Sequence, residues 1–122
     1  MFSFEEITVW QKGMDLAQRV FDVTEKLPRK EDYGLTSQIR RSALSVPANI
    51  AEGFGRKHTK DKLNFYYAFR GSLAETKNHL IYGLKVGYFA ETDFTGLVKL
   101  VADIWKKLNA LTSSLGKRAG ST

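Results

Sequence analysis

The sequence predicts an all-α protein, an antiparallel up-down four-helix bundle. Three observations lead there. Apolar residues recur at steps of three and four in four separate segments. No stretch alternates with period two over a useful length, so no sheet is expected. The connections are short, and four amphipathic helices joined in that way bury their stripes against one another. The chain has 122 residues and is expected to form one domain over 1–116, with helices at roughly 4–26, 35–54, 60–87 and 93–115 and a frayed basic tail at 117–122.

In the first segment Ile7, Trp10, Met14, Ala17, Phe21 and Thr24 trace one helix face. Lys12, Asp15, Arg19 and Asp22 form a ladder of alternating sign opposite, which reads as a solvated face. Pro28 pushes the residue before it out of helical geometry, so "LPRKEDYG" ends the helix, with Gly34 at the far side of the loop.

The second segment contains "QIRRSALSVPANIAEGFGR". Leu35, Ile39, Val46, Ile50 and Phe54 make its core stripe. A second stripe of small or polar residues, Ser42, Ser45, Asn49, Glu52 and Arg56, lies roughly 110° away at about 100° per residue. It reads either as a wet outer face or as a close helix contact whose serines admit a neighbouring backbone. Pro47 removes a hydrogen bond and clashes with the carbonyl of Ala43, at a cost of roughly 3 kcal/mol. Either the resulting bend shapes an interface or packing tolerates it. The glycines of "GFGRKH" suit a left-handed cap.

The third segment opens on Thr59 as N-cap with Asp61 in the first turn. Leu63, Tyr66, Arg70, Leu73, Lys77, Leu80 and Leu84 follow one face, and Gly87 breaks it. Phe65 and Phe69 fall on a second apolar side beside Thr76, and so wide an apolar arc implies contact on two sides, one the bundle core and the other suited to a neighbouring subunit. Arg70 and Lys77 lie within the arc. They need partners, with Glu52 and Glu75 available to Arg70 and Arg41, or else they line a wet channel or snorkel outward. The fourth segment carries Phe94, Leu97, Val101, Ile104, Leu108, Leu111 and Leu115, and Gly116 ends it.

The composition, 43% hydrophobic and 26% charged, is that of a folded chain rather than a disordered one. There is no cysteine, which excludes disulfides, thiolate metal sites and thiol catalysis. The longest run without a charge, Ser42 to Ala51, is too short for a membrane span of about 20 residues. "MFSFEEITVW" is acidic where a secretory signal is basic, so the expected location is cytoplasmic. The net charge of +6 favours a polyanion such as nucleic acid as partner, or serves solubility.

Motifs for chemistry are missing. "EGFGRKHT" has neither the spacing nor the preceding strand of a phosphate-binding loop. His58 and His79 form no metal-ligand pattern, and no nucleophile stands beside a base. No enzyme activity, cofactor or metal is expected. The basic residues do cluster, with Arg40, Arg41, Arg56, Lys57, Lys60 and Lys62 at the two ends of segment two and the start of segment three. Lys106, Lys107, Lys117 and Arg118 add a second zone.

"YGLTSQIRRSALSVPANIAEGFGR", with "VWQKGMDLA" before it and "FRGSLAETKNHL" after it, resembles the signature of a bacterial four-helix-bundle family. That family is known from proteins encoded in intervening sequences of 23S ribosomal RNA genes, and the accessory variability protein of diversity-generating retroelements is a relative. The similarity spans about Phe4 to Leu115 and falls on Gly34, Gln38, Arg40, Arg41, Pro47, Asn49, Glu52, Gly53, Arg56, Gly71, Ser72 and Glu75. It implies a ring-like homopentamer, and a nucleic-acid partner bound through a basic surface as in the retroelement relative. On that footing Arg41, Asn49, Glu52 and Glu75, with Ser42, Ser45, Pro47 and Arg70, are expected to form a structural or interface network. Arg40, Arg56, Lys57 and Lys60 are the expected phosphate contacts. A scaffold that binds only protein is the alternative.

Overall fold

The computed structural model describes residues 3–121, with side chains to Lys117. A short 3-10 turn, Phe4–Glu6, leads into α1 (Thr8–Thr24). A second 3-10 turn, Arg29–Glu31, precedes α2 (Leu35–Phe54), which is followed by α3 (Thr59–Lys85) and α4 (Glu91–Ser121). No strand occurs among the described residues. Of the basic tail expected over 117–122, Arg118 and the positions after it lie outside the described side chains.

Each helix packs on its two neighbours in chain order, α4 returns to α1, and the diagonal pairs do not meet. The pairings run in opposite directions along each seam. Between α1 and α2, Thr24 meets Arg40 while Gly13 faces Val46. Between α2 and α3, Arg41 meets Glu75 while Gly53 faces Tyr66. Lys12 bridges to Asp103 on α4 at 2.8 Å. This is an up-down bundle around a single core.

The stripes of α2 and α4 fall largely where their sequence places them. Leu35, Ile39, Val46 and Ile50 are buried, as are Leu97, Val101, Ile104, Leu108 and Leu115, while Phe54 is only half-buried. Two helices are rotated from expectation. In α1 the buried residues are Val9, Gly13, Leu16, Val20 and Thr24, and Met14 and Phe21 are exposed. In α3 they are Tyr66, Phe69, Leu73, Thr76, Leu80 and Gly83, so Phe69 and Thr76 belong to the core. Lys77 is exposed and Arg70 half-buried, both on the α4 side rather than in the interior.

Close approach explains the α1 rotation. A Cβ on Gly13 would sit 3.1 Å from Val46 Cγ1 and 3.4 Å from the Pro47 nitrogen. Helix α1 therefore lies backbone-first on α2 where the proline already lacks an N–H. Pro47 is buried within an unbroken α2.

The caps also differ from expectation. Gly55 has φ −73°, so α2 has no left-handed cap, and Gly53 instead admits the Tyr66 ring, 2.8 Å from where its Cβ would be. The left-handed residue is Gly87, at φ 85°, just past α3. His58 rather than Thr59 holds the N-cap position of α3, without a side-chain bond.

Helix α2 starts on a carboxylate. Glu31 Oε1 accepts the Leu35 N–H at 3.1 Å and Oε2 accepts the Tyr88 hydroxyl at 2.9 Å, which ties the α3–α4 turn to the start of α2. The Leu35 N–H first, then the Tyr88 hydroxyl, hold the Glu31 carboxyl below its ordinary 4.5, and the same carboxylate pushes the Tyr88 phenol above 10.0. The Glu31 contribution is therefore fully present above pH 4.5 and disappears as pH falls through the lowered value. Thermal melts across pH 3–7 are expected to show this loss in the wild type and to lack it in Glu31→Gln. Parallel curves for the two proteins would refute the link.

Candidate nucleic-acid interface

The α2–α3 turn forms one end of the bundle, and Arg56, Lys57 and Lys60 stand exposed on it. The Arg56 guanidinium lies 4.6 Å from the centre of the Phe65 ring and 3.5 Å from the Glu52 carboxylate. Both contacts leave it about half exposed, oriented by the ring yet open to a phosphate. Lys57 and Lys60 carry point charges into solvent. Lys62 is used differently. Its ammonium donates to the carbonyls of Gly53 at 3.3 Å and Phe54 at 2.9 Å, closing the last turn of α2.

Arg40 is not brought to this end. It lies sixteen residues before Arg56, roughly 24 Å along the helix at 1.5 Å per residue. Its Nε donates to Thr24 Oγ1 at 2.7 Å and its Nη2 to the Phe21 carbonyl at 3.3 Å. The guanidinium also faces Glu25 at 3.5 Å and stacks on the Phe21 ring at 4.2 Å. Arg40 thus closes the end of α1, with its donors committed there.

The serine stripe faces α3. Ser42 is fully buried and its Oγ lies 2.9 Å from Thr76 Oγ1, which in turn donates to the Ser72 carbonyl at 2.8 Å. One turn on, the Ser72 hydroxyl donates to Ser45 Oγ at 3.0 Å. Asn49 Nδ2 donates to the Ser45 carbonyl at 2.8 Å and to its Oγ at 3.0 Å. At the outer edge Arg41 pairs with Glu75, whose Oε2 also lies 3.3 Å from His79 Nε2. Small hydroxyl side chains let the two backbones approach while every buried hydroxyl of the seam keeps a partner.

The expected network therefore divides. Arg41, Ser42, Ser45, Asn49 and Glu75 share the α2/α3 seam. Pro47 packs toward α1, Glu52 belongs to the basic end, and Arg70 stacks over Trp105 of α4 at 5.1 Å rather than on a carboxylate. Sequence reasoning missed the capping carboxylate of Glu31, the clasp at Thr24 and the Ser72–Thr76 half of the seam. Thr76 carried a usable signal, a lone hydroxyl between Leu73 and Leu80 on an apolar face.

Among the described residues no group of three or more His, Asp and Glu is placed to hold a metal ion. No described helix is long and apolar enough to cross a membrane.

A family model described as 23S rRNA-intervening sequence protein matches residues 5–110. No curated protein sequence matches the chain. Among solved structures, it is similar to a protein of unknown function from the S23 ribosomal protein family of Bacteroides thetaiotaomicron, with a TM-score of 0.78. The two share 21% identity over 84% of this chain and 96% of the other, a likeness of fold.

Proposed function

The chain belongs to the family of 23S rRNA-intervening sequence proteins, and on that premise we propose that it is a non-enzymatic, homo-oligomeric, cytoplasmic protein that binds nucleic acid. The observation that carries this reading is the exposed group Arg56, Lys57 and Lys60 on one end of the bundle. Repeated around an oligomer, three cations per copy become a charged rim. Such a rim tracks phosphates and reads little sequence. A ring of five copies, implied by the family resemblance, repeats the group five times. Arg40, committed to α1, is left out of the contact set.

Affinity for duplex DNA and structured RNA is expected to fall linearly in log–log form with salt, by about 0.9 per phosphate neutralised on B-DNA. The triple variant Arg56→Ala, Lys57→Ala, Lys60→Ala is expected to weaken binding and flatten that slope by about 3 for each copy that touches the duplex. Filter binding over a salt series reads both. Retention at low salt no better than that of a neutral control protein would defeat the proposal.

The exposed apolar residues Phe21 and Leu44 favour a second reading, a scaffold whose ligands are proteins. Protein partners that persist in pull-downs after nuclease treatment, with no retained nucleic acid, would select it.

A further inference from the structure

A groove runs between α3 and α4, far from the cations of the α2–α3 turn. Leu73 lies thirteen residues beyond Lys60 on the same helix, roughly 20 Å along its axis at 1.5 Å per residue. Leu73, Val98 and Val101 floor the groove and Trp105 edges it, while the small side chains of Ala74 and Ala102 leave a space of about 320 Å³ open. The lining extends along α4 from Val98 to Trp105, roughly 10 Å. That is the length of a fused pair of rings with one substituent. It is too short for a helix of several turns or a long acyl chain. Small-molecule sites have this make-up, apolar walls with a few placed polar groups.

The groove has one charged lining residue, Lys77, which is exposed and forms no ion pair among the described residues. Arg70 lies over the Trp105 ring at 5.1 Å, and among the described residues it too faces no carboxylate. The arginines of α1 and α2 differ, since Arg19, Arg40 and Arg41 face Asp15, Glu25 and Glu75. The carboxylates nearest the groove in sequence are held elsewhere, Glu75 by Arg41 and His79, Asp103 by Lys12 and Lys107. The lining residues sit inside α3 and α4, where each backbone N–H bonds to the carbonyl four residues back. A ligand here therefore meets apolar walls, one indole and one ammonium, with no backbone donors.

We propose that the α3/α4 groove binds a small aromatic monocarboxylate. The ring seats on Leu73, Val98 and Val101 beside Trp105, and the carboxylate meets the Lys77 ammonium. One ammonium answers one negative charge, whereas a polyphosphate would find too few donors. Arg70 is a positioning residue, holding the indole by its cation–π contact and adding positive potential at the far end of the groove. Apolar walls strengthen the ion pair by lowering the local dielectric, and the exposure of Lys77 keeps it modest. The site is separate from the Arg56, Lys57 and Lys60 group and does not depend on nucleic-acid binding.

The test uses 8-anilinonaphthalene-1-sulfonate as a fluorescent occupant of the full chain, with 2-naphthoate and the neutral 2-naphthamide as competitors. The wild type is expected to brighten the probe, and 2-naphthoate to displace it at a concentration about fivefold lower than 2-naphthamide needs. Ala102→Phe, a plug at an exposed position, is expected to abolish the brightening with unchanged circular dichroism. Lys77→Gln is expected to keep a weakened brightening and to erase the preference for 2-naphthoate. Brightening that survives the plug, or a preference unchanged in Lys77→Gln, would overturn the site. A wild type that leaves the probe dark would overturn it as well, and a mass above 13.8 kDa by light scattering would then name a second copy as the occupant.

Discussion

Replacing Phe69 by alanine is expected to destabilise the fold by about 3–5 kcal/mol. Phe69 is the largest fully buried side chain and sits on α3 between Tyr66 and Leu73, inside the continuous core. Truncation removes a ring and leaves a cavity that flanking helices fill only in part. A domain of this size is stable by about 6–18 kcal/mol at 0.05–0.15 per residue, so the loss is a large fraction of the total. Urea unfolding at fixed protomer concentration should show a lower midpoint with an unchanged slope. The sequence pattern put Phe69 on a second side suited to a neighbouring subunit. A variant with unchanged midpoint and altered assembly would restore that placement and contradict the core described here.

The second large effect is at Gly83. Glycine inside a helix ordinarily costs roughly 0.5–1 kcal/mol relative to alanine, so local propensity argues that Gly83→Ala should stabilise. Packing argues the reverse. A Cβ there would lie 2.2 Å and 2.4 Å from two carbons of the Phe89 ring, which is only 5% exposed. The Gly83 carbonyl also accepts the N–H groups of Tyr88 at 2.8 Å and Phe89 at 3.4 Å, so the turn that delivers the ring is anchored on the same residue. Ring and turn must move together, and the expected net loss is roughly 1–3 kcal/mol, or several degrees in Tm. Gly71, with nothing within 4 Å of its added Cβ, is the control: Gly71→Ala should gain up to about 1 kcal/mol. If Gly83→Ala gains as much as Gly71→Ala, Phe89 does not pack on the helix there.

These two residues also show how far the pattern could be read. Apolar recurrence located four helices and the stripes of α2 and α4, because in those helices one arc is clearly apolar and its opposite is not. In α1 and α3 two arcs compete. Ile7, Trp10, Met14, Ala17 and Phe21 recur as regularly as Val9, Leu16 and Val20, and period alone does not choose between them. Gly13 settles α1, yet a glycine adds nothing to an apolar count. What it contributes is room for α2 to come close. In α3, Arg70 stood on the apparent face and Thr76 off it, and the groove against α4 and the hydroxyl pair with Ser42 reverse their roles.

The candidate site divides along the same line. Arg56, Lys57 and Lys60 are close in sequence, so their grouping at one end of the bundle was legible. Arg40 shares their chemistry, and only the neighbouring α1 shows that its donors are spent on Thr24 and Phe21. Lys62 likewise reads as one more member of the basic cluster until the carbonyls of Gly53 and Phe54 are seen beneath it.

Helix number, helix type, net charge and the absence of thiol chemistry were settled by the chain alone, since each depends on composition or on residues within a turn or two of one another. The rotation of α1 and α3 and the partners of Arg40, Arg41 and Arg70 were decided by tertiary structure. Those depend on which helices can come into contact across sixteen residues of chain for Arg40 and Thr24 and thirty-four for Arg41 and Glu75, and close packing selects that contact from several that local pattern leaves equal.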